Sequence, residues 1–182
     1  MWYVMQVYTG MEAEVCRQCC SRIMKDDEDI FVLVAERMTK IRGKWSLIMS
    51  KLFPGYVFVE TNHVLDFYER LKMIEDVRGM IKVLRTGDEI TPVYPEEEAY
   101  LRQISGKRHI VKYSQGYING DSLVVISGAL KDCQGKVKKI LRHKRLVVLE
   151  IPLMGRLMEV TVGMGIVARQ GDSRLIQRIE EQ

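Results

Sequence analysis

The sequence predicts an α+β chain: an N-terminal domain with a mixed or antiparallel sheet and helices, followed by a small all-β barrel. Three observations predict it. Residues 1–104 interleave strand-like runs of β-branched and aromatic residues with segments of helical apolar spacing. Residues 117–170 hold many valines, frequent glycines and no helical spacing, as short strands of a small barrel would. Between them, Ser105 to Gln115 (SGKRHIVKYSQ) is basic and lacks apolar periodicity. The expected boundaries are 1–104, a linker over 105–115, a barrel over 116–170 and a polar tail over 171–182.

Residues 2–8 read as a buried strand ending in a Thr9-Gly10 turn. A helix follows over 11–25, with Val15, Cys19 and Ile23 at four-residue spacing and Cys16, Cys20 and Met24 beside them. Asp26 to Asp29 ends it. Ile30 to Arg42 is extended, Arg42-Gly43-Lys44 is a turn, and 44–50 returns antiparallel. Tyr56 to Glu60 is a further strand. Residues 64–75 read as a helix on Leu65, Tyr68, Leu71 and Ile74, with Val64 and Phe67 alongside. Met80 to Leu84 is a short strand. Pro95 opens a last helix, and Glu96 to Glu98 suit its positive dipole end.

Composition bounds the function. The 182 residues are 47% hydrophobic and 29% charged, with no apolar run of the length a membrane span needs. The N-terminus lacks the basic flank and cleavage site of a signal peptide. Four cysteines, three of them within Cys16–Cys20, do not make a disulfide framework. A cytoplasmic, monomeric protein is expected. Residues 1–105 carry 14 Lys/Arg against 17 Asp/Glu, while 106–182 carry 14 against 7. The C-terminal stretch is thus a basic module, a composition that suits nucleic acid.

Three stretches stand out. Trp2 to Glu12 (WYVMQVYTGME) and Leu52 to Val59 (LFPGYVFV) are, on their residues alone, core strands with sharp turns. Gly120 to Gly128 (GDSLVVISG), followed by Leu130 to Val137 (LKDCQGKV), is a glycine-punctuated strand pair. Together, in this order and with a basic linker between, they resemble the NusG family. The first two are similar to strand one and the FPGY corner of its N-terminal (NGN) domain, and the third is similar to a KOW motif. The resemblance spans roughly residues 1–170.

The resemblance implies a transcription elongation factor, not an enzyme, whose NGN domain binds the clamp of the largest subunit of RNA polymerase through an apolar surface. The matching positions are Tyr3, Phe53, Pro54, Tyr56 and Val83, with Gly79 shaping the loop before the last strand. Family members also turn a basic face to the non-template DNA strand, for which Arg17, Arg22 and Arg78 are candidates here. Each has a competing reading as core or as solvated helix face.

The basic module carries Lys136, Lys138, Lys139, Arg142, His143, Lys144 and Arg145 within ten residues. It is similar to that of LoaP-type antiterminators, which recognise an RNA hairpin through the KOW domain. Such a ribbon suits A-form RNA, which is read by shape, phosphates and 2′-hydroxyls. Lys107, Arg108, Lys112, Lys131 and Arg156 are candidates for further phosphate contacts. The expected function is antitermination guided by a structured leader RNA. Alternatives are a general NusG factor whose KOW domain binds a ribosomal protein or termination factor, a DNA-reading paralog, and a ribosome-associated RNA-binding protein.

No cofactor or metal is expected. Cys16 and Cys19 form a C-x-x-C without a second ligand pair, so an apolar helix face accounts for them. His63, His109 and His143 have no ligand spacing. No nucleotide loop or nucleophile pattern occurs.

Overall fold

The computed structural model describes residues 1–86, 88–119, 122–131 and 136–169, without the side chains of 77, 78 and 167–169. Parts of the KOW-like stretch, at 120–121 and 132–135, lie outside the described residues, as does the expected tail. The chain divides into two compact units that do not follow chain order. One comprises Met1–Leu33, Lys51–Arg102 and Leu153–Gly155, and the other Val34–Ser50, Gln103–Pro152 and Arg156–Gln182.

The first unit is an antiparallel sheet between helices. Its strands are β1 (Trp2–Val7), β2 (Asp29–Phe31), β5 (Tyr56–Glu60) and β6 (Ile81–Val83), in the order β2-β5-β1-β6. Met5 and Val7 of β1 and Val57 and Val59 of β5 form a core with Val15 and Cys19 of helix α1 (Glu12–Arg22) and Phe67 and Leu71 of α2 (Val64–Lys72). An aromatic cluster joins Trp2, Phe31, Phe53 and Phe58, with Trp2 and Phe31 ring centroids 4.9 Å apart. Helix α4 (Pro95–Ser105) reaches it: Glu98 accepts the backbone N–H of Trp2 at 2.9 Å, and the Arg102 guanidinium lies 4.5 Å from the Trp2 ring.

Two helix faces differ from expectation. Cys20 is exposed and Glu12 and Gln18 are buried instead, because the inward row runs through Glu12, Val15 and Cys19 at helical spacing. Leu65 is 70% exposed, since α2 turns Phe67 and Leu71 inward and stops at Lys72. Ile74 is buried just after that end, before the short α3 (Glu75–Arg78).

The second unit joins a five-stranded sheet to a β-hairpin from the first half of the sequence. The sheet runs β11-β10-β14-β13-β12, from β10 (Ser114–Asn119), β11 (Ser122–Ser127), β12 (Val137–Leu141), β13 (Leu146–Leu153) and β14 (Arg156–Arg169). In β13, Val147, Leu149, Ile151 and Leu153 are buried and alternate with half-exposed residues, the period of a strand with one face in a core. The fold class is therefore α+β, with a strand-rich C-terminal part as the sequence predicts.

The hairpin is β3 (Val34–Ile41) and β4 (Lys44–Lys51), turned at Arg42 and Gly43, both at positive φ. The stretch expected as a linker is ordered beside it. Gly106–Arg108 form a 3-10 turn, and β9 (Ile110–Val111) pairs in parallel with Val34 and Ala35. Glu36 fixes this pairing, accepting the Tyr113 N–H at 2.9 Å and Lys112 at 2.6 Å. At Gly163 of β14 a Cβ would lie 2.3 Å from the Glu36 carbonyl oxygen, so only glycine lets β3 approach β14 this closely.

Candidate functional site

The first candidate surface surrounds the FPGY corner. Gly55 has φ +83, and a Cβ there would stand 3.2 Å from Thr9 Oγ1 and the Val7 carbonyl oxygen. The corner is tied to the turn after β1 by one buried carboxylate. Glu12 accepts the Gly55 N–H at 2.7 Å on one oxygen, and the Gly10 N–H at 2.8 Å and Lys51 Nζ at 2.5 Å on the other. Burial alone would raise the Glu12 pKa, but Lys51 and the backbone N–H groups outweigh it and hold the carboxyl at about 2. The sequence signal for this role was an acid directly after a strand-ending glycine turn, inside a stretch read as core strand.

The matched positions separate. Tyr3 is 5% and Phe53 2% exposed, so both rings are packed inside and neither forms an outer surface; this corrects the expectation of outward docking at these two. Phe53 fills the aromatic cluster behind the corner, 6.0 Å from Phe58. Pro54 is exposed and Tyr56 half-buried on that corner. Val83 is half-buried in a groove of about 500 Å³, with Tyr68, Leu71 and Ile81 as its apolar lining and Lys72, Lys82 and Arg85 at its edge. The backbone of Gly79 has open space around it. The groove's α2 wall was not among the expected positions, because Tyr68 and Leu71 read as core spacing.

Two of the three arginine candidates for DNA are held in ion pairs. Arg17 pairs with Glu14, and Arg22 pairs with Asp76 at 3.0 Å. The side chain of Arg78 lies outside the described residues.

The second candidate surface is the basic turn of the second unit. Arg142, His143 and Lys144 form a 3-10 turn between β12 and β13, and all three are exposed. None makes an ion pair among the described residues. Lys139 is exposed just before them in β12. Lys138, by contrast, bridges Glu150 and Glu159, each at 2.7 Å, which raises its pKa and occupies its charge. Arg145 lies 4.2 Å from the Trp45 ring.

The other basic candidates scatter. Lys107 and Arg108 edge a pocket of about 390 Å³ together with Lys112, which is spent on Glu36. Lys131 is exposed, Lys136 half-buried, and Arg156 exposed at the start of β14. Lys139, Arg142, His143, Lys144 and Arg145 thus follow one another along the end of β12 and the turn after it, while the neighbouring Lys138 is taken up by Glu150 and Glu159.

The C-x-x-C cysteines make no reactive pair. Burial, with smaller contributions from neighbouring groups, pushes both Cys16 and Cys19 up to about 12. No group of three or more metal-ligating side chains converges among the described residues. Nor is any described helix long and apolar enough to cross a membrane.

The family model for "Transcription termination factor nusG" matches residues 1–103. A transcription termination/antitermination protein NusG of Halalkalibacterium halodurans is 29% identical over 161 residues, covering 85% of this chain and 90% of that protein. One of Haemophilus influenzae is 25% identical over 174 residues, covering 92% and 93%. Among solved structures, a chain of the MjSpt4:Spt5 complex in conformation A aligns with 93% of this chain and 100% of its own, at 19% identity and a TM-score of 0.32.

Proposed function

The chain belongs to the NusG family of transcription termination and antitermination factors, which are not enzymes, and from that premise we propose that it is an antiterminator recruited by RNA. Its N-terminal domain (residues 1–104) contacts the clamp of RNA polymerase, and its basic KOW domain (116–170) binds a structured leader RNA. The observation that carries the reading is the turn at Arg142–Lys144, three exposed basic side chains with no carboxylate partner among the described residues. The unneutralised charges of Arg142 and Lys144 on a tight turn attract phosphates, and an A-form stem presents phosphates in a fixed array.

Polymerase docking is assigned to the apolar groove of Tyr68, Leu71, Ile81 and Val83 together with the exposed corner at Pro54 and Tyr56. An apolar depression with basic edges suits a protein helix carrying acids. Joining both contacts in one chain raises the effective concentration of the second once the first is made, which confines a weak polymerase contact to transcripts bearing the RNA element.

The test is a titration of the full chain with the stem-loop of its own leader transcript, a scrambled single strand and the matching DNA duplex, at two salt concentrations. Preference for the stem-loop, lost on Arg142→Ala with Lys144→Ala, supports the reading. Weak and equal binding to all three refutes it. A general elongation factor is the second reading, favoured by relatives that match over nearly their whole length; in it the KOW domain binds a protein.

A further inference from the structure

Resting on the RNA reading above, we infer that the β3–β4 hairpin is the second arm of the RNA site and that Trp45 joins the two arms. Sequence order places this hairpin in the N-terminal domain, yet residues 34–50 pack within the second unit. The link is specific. The Arg145 guanidinium lies 4.2 Å from the Trp45 ring centroid and Lys40 Nζ lies 5.4 Å from it. Both contacts are within cation–π range.

The charge pattern says what the arms meet. Residues 37–50 and 136–149 together hold ten Lys/Arg and no Asp or Glu. Lys40 and Arg145 are brought within about 10 Å of each other by their shared ring, about a Debye length at physiological salt. Like charges so close repel unless an anion lies between or above them. The acids of strands β3, β13 and β14 are already engaged, Glu36 with Lys112, and Glu150 and Glu159 with Lys138. Arg42, Lys44, Arg142 and Lys144 are exposed at the two turns and make no ion pair among the described residues.

Backbone geometry adds a second, independent observation. Arg42 has φ 50 and Arg145 φ 55, so each turn places an arginine in the left-handed region where glycine or asparagine is favoured. Both turns thus keep a cationic side chain at a position that glycine or asparagine would take more readily. Two cationic turns linked through one aromatic ring suit the phosphates of both strands of an A-form stem, which lie across a wide, shallow minor groove.

The experiment uses the full chain and a fluorescein-labelled RNA stem-loop from its own leader transcript, with the DNA duplex of the same stem sequence as a second probe. Anisotropy at several salt concentrations gives affinity and salt slope, and tryptophan emission reports Trp45, since Trp2 is fully buried. Arg42→Gln with Lys44→Gln is expected to weaken RNA binding about tenfold or more and to lower the salt slope by about two, one per lost phosphate contact. Trp45→Phe is expected to abolish the emission change on RNA addition. Circular dichroism establishes that each variant is folded.

Wild-type RNA binding by the Arg42/Lys44 variant, alongside loss in an Arg142→Gln, Lys144→Gln variant, overturns the second arm and leaves the RNA reading standing. Indifference of binding to both pairs overturns the RNA reading itself. Equal affinity for the DNA duplex overturns the assignment to A-form RNA.

Discussion

Replacing Glu12 with alanine tests how the FPGY corner is held. The carboxylate takes two backbone N–H groups and one ammonium, and the bond to Gly55 is fully buried. Without it, the buried Gly55 N–H loses its acceptor at about 1–3 kcal/mol, while the N–H of exposed Gly10 turns to water at little cost. Lys51 is a third exposed and returns to water, so it adds little. The expected loss is about 2 kcal/mol, read by urea denaturation at pH 7 as a fall in midpoint of about 1 M with unchanged slope. The pH dependence gives the same quantity independently. A folded pKa of about 2 lies below the ordinary carboxylate value of 4.5, so the stabilisation is fully present above pH 4.5 and lost as pH falls through 2. The wild type should therefore lose more stability than the variant between those values. A Glu12→Ala chain within about 0.5 kcal/mol of wild type, or one with the same acid limb, would mean that Glu12 does not hold the corner.

Gly163→Ala is expected to destabilise the second unit by about 2 kcal/mol or more, because the new methyl meets the Glu36 backbone, whereas Gly79→Ala, with open space around it, should change the melting temperature little. Phe53→Ala should cost about 3–5 kcal/mol of folding stability, as for other buried aromatics. Loss of polymerase binding in that variant would therefore say nothing about a surface, and Tyr56→Ala and Val83→Asp, checked for folding by circular dichroism, are the fair probes in a polymerase pull-down. Lys138→Ala should leave the salt slope of RNA binding nearly unchanged, because its charge is already balanced by Glu150 and Glu159, whereas Arg142→Ala should lower it by about one.

Much of the fold was legible because it follows from periodicity. Strand β1, strand β5 and the helix after Pro95 appear where β-branched runs and an N-terminal proline put them. Periodicity failed where helical phase had to be fixed exactly by tertiary packing: Leu65 and Cys20 lie in apolar rows yet face solvent. The site was less legible, for two physical reasons. Aromatic residues serve core and surface alike, so Phe53 and Tyr3 could not be told from Tyr56 without burial. Long-range pairing has no local signature either. Nothing near Trp45 announces Arg145, a hundred residues on, and nothing in the sequence around Glu12 announces Gly55. The basic cluster was legible as a cluster, but its partition was not: Lys138 is neutralised by acids from two other strands, while Arg142 and Lys144 are free of ion pairs among the described residues.

The most direct measurement is single-round transcription by purified RNA polymerase through an intrinsic terminator, with the full chain added, on templates that carry either its own leader or a scrambled leader. Read-through is expected to increase on the first template alone and to be lost on Arg142→Ala with Lys144→Ala. Equal read-through on both templates, or none on either, contradicts an antiterminator guided by leader RNA.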